Sequence, residues 1–321
     1  MIRIGARGLW SLALLLAATG CSTQRLTNAG AAQPRVEIAA TPYFPQTDHH
    51  CGPAALATVL GASGADVNPE DLAHQVYIKG RKGSLQLELL AAARRHDRIA
   101  YVLEPSLPAL LRELEHGQPV LVLQNFGLSS LPLWHYAVVI GYDREHDAFL
   151  LRSGRHERQQ LAARRFLGTW QRADSWAFIA LRPGALPADP DAVRYLEAAA
   201  ALEALGNHGA VTPAYEAAVR EWSGDALAWF ALANNRQALG QDAGAETAYR
   251  EVLRLSPAQI PARNNLALLL AQRGCIDDAR TIIEPARAAA AAGGPLAAEL
   301  ADTLHSIESR AASTPAVCDA H

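Results

Sequence analysis

The chain is poor in several things that would have declared a function outright. Charge of one sign is scarce: 29 Lys and Arg against 32 Asp and Glu leave a net charge of −3 over 321 residues, so there is no electrostatic footprint for nucleic acid. Aromatic residues make up only 6%. The 50% hydrophobic content is swollen by alanine and overstates the large side chains available for a core. The longest apolar run near the start, Leu9–Ala18, is too short to span a bilayer. His49 and His50 stand together, but no second ligand pair at zinc-like spacing exists, so they read as loop residues and no cofactor or metal is expected. Cysteines number four, few enough that each can be given a task.

Cys51 carries the strongest signal. It lies in Gln46-Thr-Asp-His-His-Cys51-Gly52-Pro53-Ala-Ala-Leu-Ala-Thr-Val-Leu60, where a helix is about to begin. Gly52 permits close backbone approach, and Pro53 is pre-set for a first helical turn. A thiol at a helix N-terminus feels the positive end of the dipole, which is expected to lower its pKa and supply thiolate. Gln46 has an amide able to donate to an oxyanion. A base is offered by Trp134-His135-Tyr136-Ala-Val-Val-Ile-Gly141, where His135 opens a β-branched run that reads as a buried strand. A Cys and a His far apart in sequence and close in the fold are the pattern of a cysteine hydrolase.

Gln46…Cys51-Gly-Pro-Ala followed by His135-Tyr-Ala-Val-Val-Ile-Gly resembles the double-glycine-leader (bacteriocin-processing, C39-like) peptidases, which are papain-like cysteine peptidases. The resemblance covers roughly residues 36–183. It implies Cys51 as nucleophile, His135 as general base and Gln46 as oxyanion donor. The family's third member is an Asp or Asn on the strand after the histidine strand; here Ser153 stands at that place. Ser153 can hold the imidazole through its hydroxyl, Asp143 or Asp147 can reach it instead, or the pair works as a dyad. The family's leader-cutting members are usually fused to a transporter, which this sequence does not contain, so their substrate is not carried over.

The start reads as a secretion signal (1–20). Arg3 and Arg7 precede the apolar core, and Leu16-Ala-Ala-Thr-Gly-Cys21 looks like a bacterial lipobox, which implies cleavage before Cys21 and acylation there. Several acyl chains would anchor the protein firmly. Ser22 rather than Asp favours the outer membrane, with the protein facing the periplasm. Residues 21–35 read as a flexible tether. With Cys21 given to lipid and Cys51 to catalysis, Cys275 and Cys318 remain, and an oxidising periplasm favours a bridge between them.

The peptidase-like domain (36–183) reads as α+β. Helices are expected at 51–60, 69–76, 84–95 (with a serine cap) and 106–115. Strands are expected at 99–103, 119–123, 134–142, 147–152 and 175–181. Lys79-Gly-Arg-Lys82-Gly is a basic solvated loop. Three prolines in 183–190 mark an extended linker (184–191). Beyond it Gly206, Gly240 and Gly274 recur every 34 residues. On that register Tyr195 meets Trp229, Tyr215 meets Tyr249 and Ile283, and Val211 meets Ala245 and Ala279. This is the tetratricopeptide (TPR) pattern, an all-α solenoid over 192–311 with a capping helix near 295–311 and a tail at 312–321. Asn234, Asn235, Arg236, Asn264 and Asn265 are candidates to face an extended peptide.

The leading expectation is a lipid-anchored thiol peptidase whose repeats recruit a peptide or protein substrate or a protein partner. The alternatives are a weak or inactive peptidase-like scaffold at the membrane, and acyl transfer to an amine in place of water.

Overall fold

The computed structural model describes residues 26, 32–46, 50–287 and 296–311. The expectations resting on the signal segment, Cys21, His49 and Cys318 fall outside them.

Seven strands form one antiparallel sheet: β1 (Arg35–Glu37), β2 (Ile99–Val102), β3 (Val120–Asn125), β4 (Trp134–Asp143), β5 (Ala148–Ser153), β6 (His156–Ala162) and β7 (Ala177–Leu181). Their order is β2-β7-β3-β4-β5-β6. β3 pairs with β4 over Trp134–Val139, and β1 takes β4 at Gly141–Asp143 beyond a bulge. Gly141 is required there: a Cβ would lie 2.0 Å from the Val36 carbonyl oxygen. Because successive strand residues point to opposite faces, both faces bury apolar side chains. Val120, Val122, Ala137, Val139 and Phe149 enter one core, while Leu121, Leu123, Tyr136, Val138 and Leu150 enter the other.

The second core is roofed by α1 (Cys51–Ala62), α2 (Pro69–Val76) and α3 (Gln86–Arg95). α1 is buried from Gly52 to Leu60, so it lies inside the domain rather than on it. α2 opens on an Asn68 cap with Pro69 in its first turn. The serine cap expected on α3 is not made: the N-cap position is Leu85, without a side-chain bond. Ser84 is instead pressed against α1, where a Cβ on Gly52 would meet its Oγ at 2.4 Å. The first core holds α4 (Leu107–Glu115), capped by Ser106, and α5 (Ala163–Gln171). β1, β6 and α5 have no counterpart in the sequence reading. Residues 32–35, expected within a flexible tether, are tied down: the Ala32 and Gln33 amides donate to Glu115 Oε1 at 2.7 and 3.2 Å.

The C-terminal region is helical: α6 (Ala192–Glu203), α7 (His208–Glu221), α8 (Ala226–Ala238), α9 (Asp242–Leu255), α10 (Ile260–Gln272), α11 (Ile276–Ile283) and α12 (Ala297–Ala311). α6 to α11 each pack on the next in sequence. Gly206, Gly240 and Gly274 close α6, α8 and α10 in the left-handed region, at φ +85°, +68° and +83°. Seven of the eight aligned residues, Tyr195, Tyr215, Tyr249, Ile283, Val211, Ala245 and Ala279, are buried; Trp229 is the exception.

The asparagines expected to face a peptide are bound internally. Asn235 is fully buried; it donates to Glu203 Oε1 (2.8 Å) and the His208 carbonyl (3.0 Å) and accepts from Thr212 Oγ1 (2.8 Å). Asn234 accepts from Tyr249 (2.6 Å) and Asn265 (3.1 Å), and Arg236 pairs with Glu216. Buried amides need such partners, and neighbouring helices supply them. Cys275, at the third turn, is disulfide-bonded.

The two halves share a core. Tyr195, Leu196, Ala199, Val211, Tyr215 and Leu232 continue the cluster that covers the α4–α5 face of the sheet. The segment between them is non-helical, as its prolines require, yet it is strapped down. The Ala188 amide donates to Glu113 Oε1 (3.1 Å), Arg112 pairs with Asp189 (2.9 Å), and the Tyr195 hydroxyl donates to the Ala185 carbonyl (3.0 Å).

Candidate active site

Cys51 is the first residue of α1, and His135 is the second of β4. α1 packs on β4, and the Tyr136 backbone N–H points at the Cys51 thiol, so the sulfur lies against the peptide that follows His135. His135 Nε2 lies 2.9 Å from Ser153 Oγ on β5. Among the described residues Nδ1 has no hydrogen bond; in the tautomer protonated at Nε2, that nitrogen donates to the serine hydroxyl and Nδ1 is left to accept a proton. Phe126 stacks on the imidazole with centroids 5.0 Å apart.

Asp143 and Asp147 do not reach this point. They lie at the far end of the β4–β5 hairpin, eight residues from His135 in the case of Asp143, or roughly 26 Å at the rise of an extended strand. Asp143 pairs with His146 at 3.0 Å, and Asp147 accepts from the Leu26 amide at 3.0 Å.

Gln46 joins the same place. Its backbone N–H donates to the Gly154 carbonyl (3.1 Å), and its side-chain amide donates to the Tyr136 carbonyl (3.4 Å). Tyr43 donates to the same Gly154 carbonyl at 3.2 Å. The segment is anchored by Arg152, a residue the sequence reading missed. Its buried guanidinium donates to the carbonyls of Ala39, Thr41 and Glu157. The signal was present as one cation inside the otherwise apolar strand Ala-Phe-Leu-Leu-Arg.

The electrostatics differ from the expectation for Cys51. Burial pushes the thiol up, and the amides of Tyr136, Gly52 and Cys51 itself pull it only part of the way back. The dipole at the start of α1 is outweighed by loss of water. Burial also lowers His135 from 6.5 to about 4, and among the described residues no carboxylate counters it. The resting pair is therefore a neutral thiol and a neutral imidazole at neutral pH.

Two cavities are lined by sequence neighbours of Cys51 and His135, though by neither residue itself. One of about 1010 Å³ is lined by Phe44, His50, Ala54, His74, Tyr77 and Lys79. The other, about 340 Å³, is lined by Ser84, Leu85, Leu123, Trp134, Tyr136 and Asp174. Among the described residues no group of three His, Cys, Asp or Glu is placed to hold a metal ion.

Residues 38–177 match the model of the Peptidase_C39 like family. A solved structure of a C39-like peptidase from Bacillus anthracis aligns at 18% identity with a TM-score of 0.40, covering 46% of this chain and 98% of that one. No curated protein matches the chain. The antiparallel sheet with its helices fits a C39-like α+β domain.

Proposed function

We propose that the protein is a cysteine peptidase in which His135 takes the Cys51 proton and the thiolate attacks a peptide carbonyl. The observation that carries this reading is the His135 Nε2–Ser153 Oγ bond of 2.9 Å beside a thiol at the head of a buried helix. Proton transfer accompanies attack, because the resting pair is neutral. The Cys51 amide and the Gln46 side chain stabilise the oxyanion. Gln46 exchanges its present bond to the Tyr136 carbonyl for one to substrate. The imidazolium then protonates the leaving amine, and water hydrolyses the thioester. Ser153 orients the ring without adding a negative charge. That neutrality favours a slow enzyme, and it is the feature on which the inactive-scaffold reading rests. Acyl transfer would use the same thioester with an amine in place of water.

The wider setting belongs to the proposal. Lipid at Cys21 would hold the protein on the periplasmic side of the outer membrane. Among the described residues no helix is long and apolar enough to cross a membrane. The 34-residue glycine turns and the buried small residues at matched positions support TPR-type repeats, which would raise the local concentration of a substrate or partner protein. The deciding experiment is alkylation by a thiol-directed acyl probe in wild type, Cys51→Ala and His135→Ala. Equal labelling of all three would refute the reading.

A further inference from the structure

The hairpin joining β3 to β4, Phe126-Gly-Leu-Ser-Ser-Leu-Pro-Leu-Trp134, carries five large apolar side chains and no charge. All five are exposed: Phe126 48%, Leu128 69%, Leu131 76%, Leu133 63% and Trp134 51%. So dense an apolar surface on a soluble domain marks a contact. The backbone beneath it is tightly built. Phe126 N–H donates to the Leu133 carbonyl (2.9 Å), and Leu128 and Leu131 exchange backbone bonds. The buried Asn125 side chain accepts from the Gly127 and Leu133 amides, both at 2.9 Å. A Cβ on Gly127 would lie 2.3 Å from the Leu131 carbonyl oxygen, so the turn admits only glycine.

This surface runs into the candidate active site. Phe126 stacks on His135, and Trp134 lines the 340 Å³ cavity. The floor of that cavity is Tyr136 and Ser84, and the Tyr136 hydroxyl donates to the Ser84 carbonyl at 3.3 Å. Tyr136 follows the proposed base, and Ser84 presses on Gly52, the neighbour of the proposed nucleophile. Ser84 Oγ is buried against Gly52 with no hydrogen-bond partner among the described residues, so it fixes the seam between the cavity and α1. Leu85 lines the same cavity.

Resting on the peptidase reading, we propose that the hairpin and this cavity select the substrate: an extended polypeptide with a bulky apolar stretch beside the scissile bond. The occupant is a peptide rather than a lipid surface. Phe126 stacks on His135 and Trp134 lines the cavity, so the apolar surface is continuous with the site, and the exposed carboxylate of Asp174 in the same cavity would be repelled by anionic lipid headgroups.

The test measures binding apart from catalysis. Cys51→Ala protein is titrated against a fluorescein-labelled ten-residue peptide with a Leu-Leu-Phe centre, and against its Ser-Ser-Ser counterpart. The apolar peptide is expected to bind at least tenfold more tightly. Adding Leu128→Ser, Leu131→Ser and Leu133→Ser is expected to weaken it at least tenfold, whereas Leu→Met at the same three positions retains it. Unchanged thermal unfolding confirms that the serine variant is folded; if it unfolds, Leu128→Ser alone serves, with a weakening of at least threefold expected. Equal binding of the two peptides overturns the proposal, as does full binding by the serine variants. Hairpin-dependent binding of a Cys21→Ser form to phosphatidylethanolamine/phosphatidylglycerol vesicles also overturns it. Peptide binding without Cys51 alkylation in the wild type would sink the peptidase reading and leave the docking surface standing.

Discussion

The sheet half and the helical half solve the same problem of scarce aromatic residues in opposite ways. In the sheet half, contacts join residues far apart in sequence: Gln46 with Gly154, Cys51 with Tyr136, Arg152 with Ala39. The candidate site exists only because those long-range contacts are all made. In the helical half, the bonds of the two central asparagines reach only to neighbouring helices, 15 to 32 residues away: Asn235 with Glu203 and Thr212, Asn234 with Tyr249 and Asn265. Damage in the first half should therefore strike chemistry. Damage in the second should strike local stability first and reach the chemistry only through the core that the two halves share.

The largest expected effect is total loss of turnover and of active-site alkylation in Cys51→Ala, with unchanged circular dichroism. His135→Ala should lower kcat/KM by about 10²–10⁴-fold, the usual contribution of a positioned base. Because burial holds His135 at about 4, the acid limb of the wild-type kcat/KM profile should fall near pH 4 rather than 6.5. An acid limb near 6.5 would show that the imidazole is solvated during catalysis. Next is Gln46→Ala, expected to cost ~3–4 kcal/mol of transition-state stabilisation if its amide serves the oxyanion. A kcat within threefold of wild type would remove Gln46 from the mechanism.

The joint between the halves gives a comparable effect on stability. Burial raises Glu113 from 4.5 to about 7, although the Ala188 amide and Arg112 oppose it. A carboxyl raised by folding contributes no penalty below pH 4.5. As pH rises from 4.5 to about 7 the unfolded chain ionises this group while the folded one does not, a loss of stability that reaches about 3 kcal/mol and levels off above pH 7. His135 has the opposite sign: its buried neutral form loses stability as pH falls from 6.5 toward 4. Urea melts at pH 5 and 8 should show Glu113→Gln gaining on wild type only at the higher pH. An equal difference at both pH values would contradict the assignment.

Asn235→Ala should cost about 2 kcal/mol, since it strands the buried partners of that amide. Its rate of Cys51 alkylation should match wild type. A slowed rate would mean that the halves are coupled more tightly than their contacts suggest. The smallest effect is expected from Ser153→Ala, on the order of tenfold in kcat/KM, because a neutral hydroxyl orients the ring but lends no charge. Ser153→Asp should move the acid limb upward by favouring the imidazolium.

The legibility of the two halves follows the same division. The helical character of the second half could be read because three glycines and their small and aromatic partners recur at one interval. Most strands could be read because both faces of the sheet are apolar. β6 escaped because His156–Ala162 is an edge strand whose residues are largely exposed and polar. β1 is three residues long, and its pairing depends on a bulge in β4 that no local pattern announces. Within the candidate site, Cys51, His135 and Gln46 were marked by motif, and Ser153 by its place one strand later. The direction of the Cys51 shift was misjudged because a helix dipole is visible in sequence and depth of burial is not. Arg152 and the apolar hairpin act through contacts that appear only once the chain has folded.

The shared core also bears on how the chain is made. The α4–α5 face of the sheet is closed by side chains as late as Leu232, about 50 residues after β7 ends. At the ~5–20 residues per second of synthesis, that face waits several seconds for its cover. The sheet half cannot finish folding while it is being made and then tow the helices behind it. A chain stopped at residue 183 would leave that sheet face without the side chains of α6 to α8 that close it.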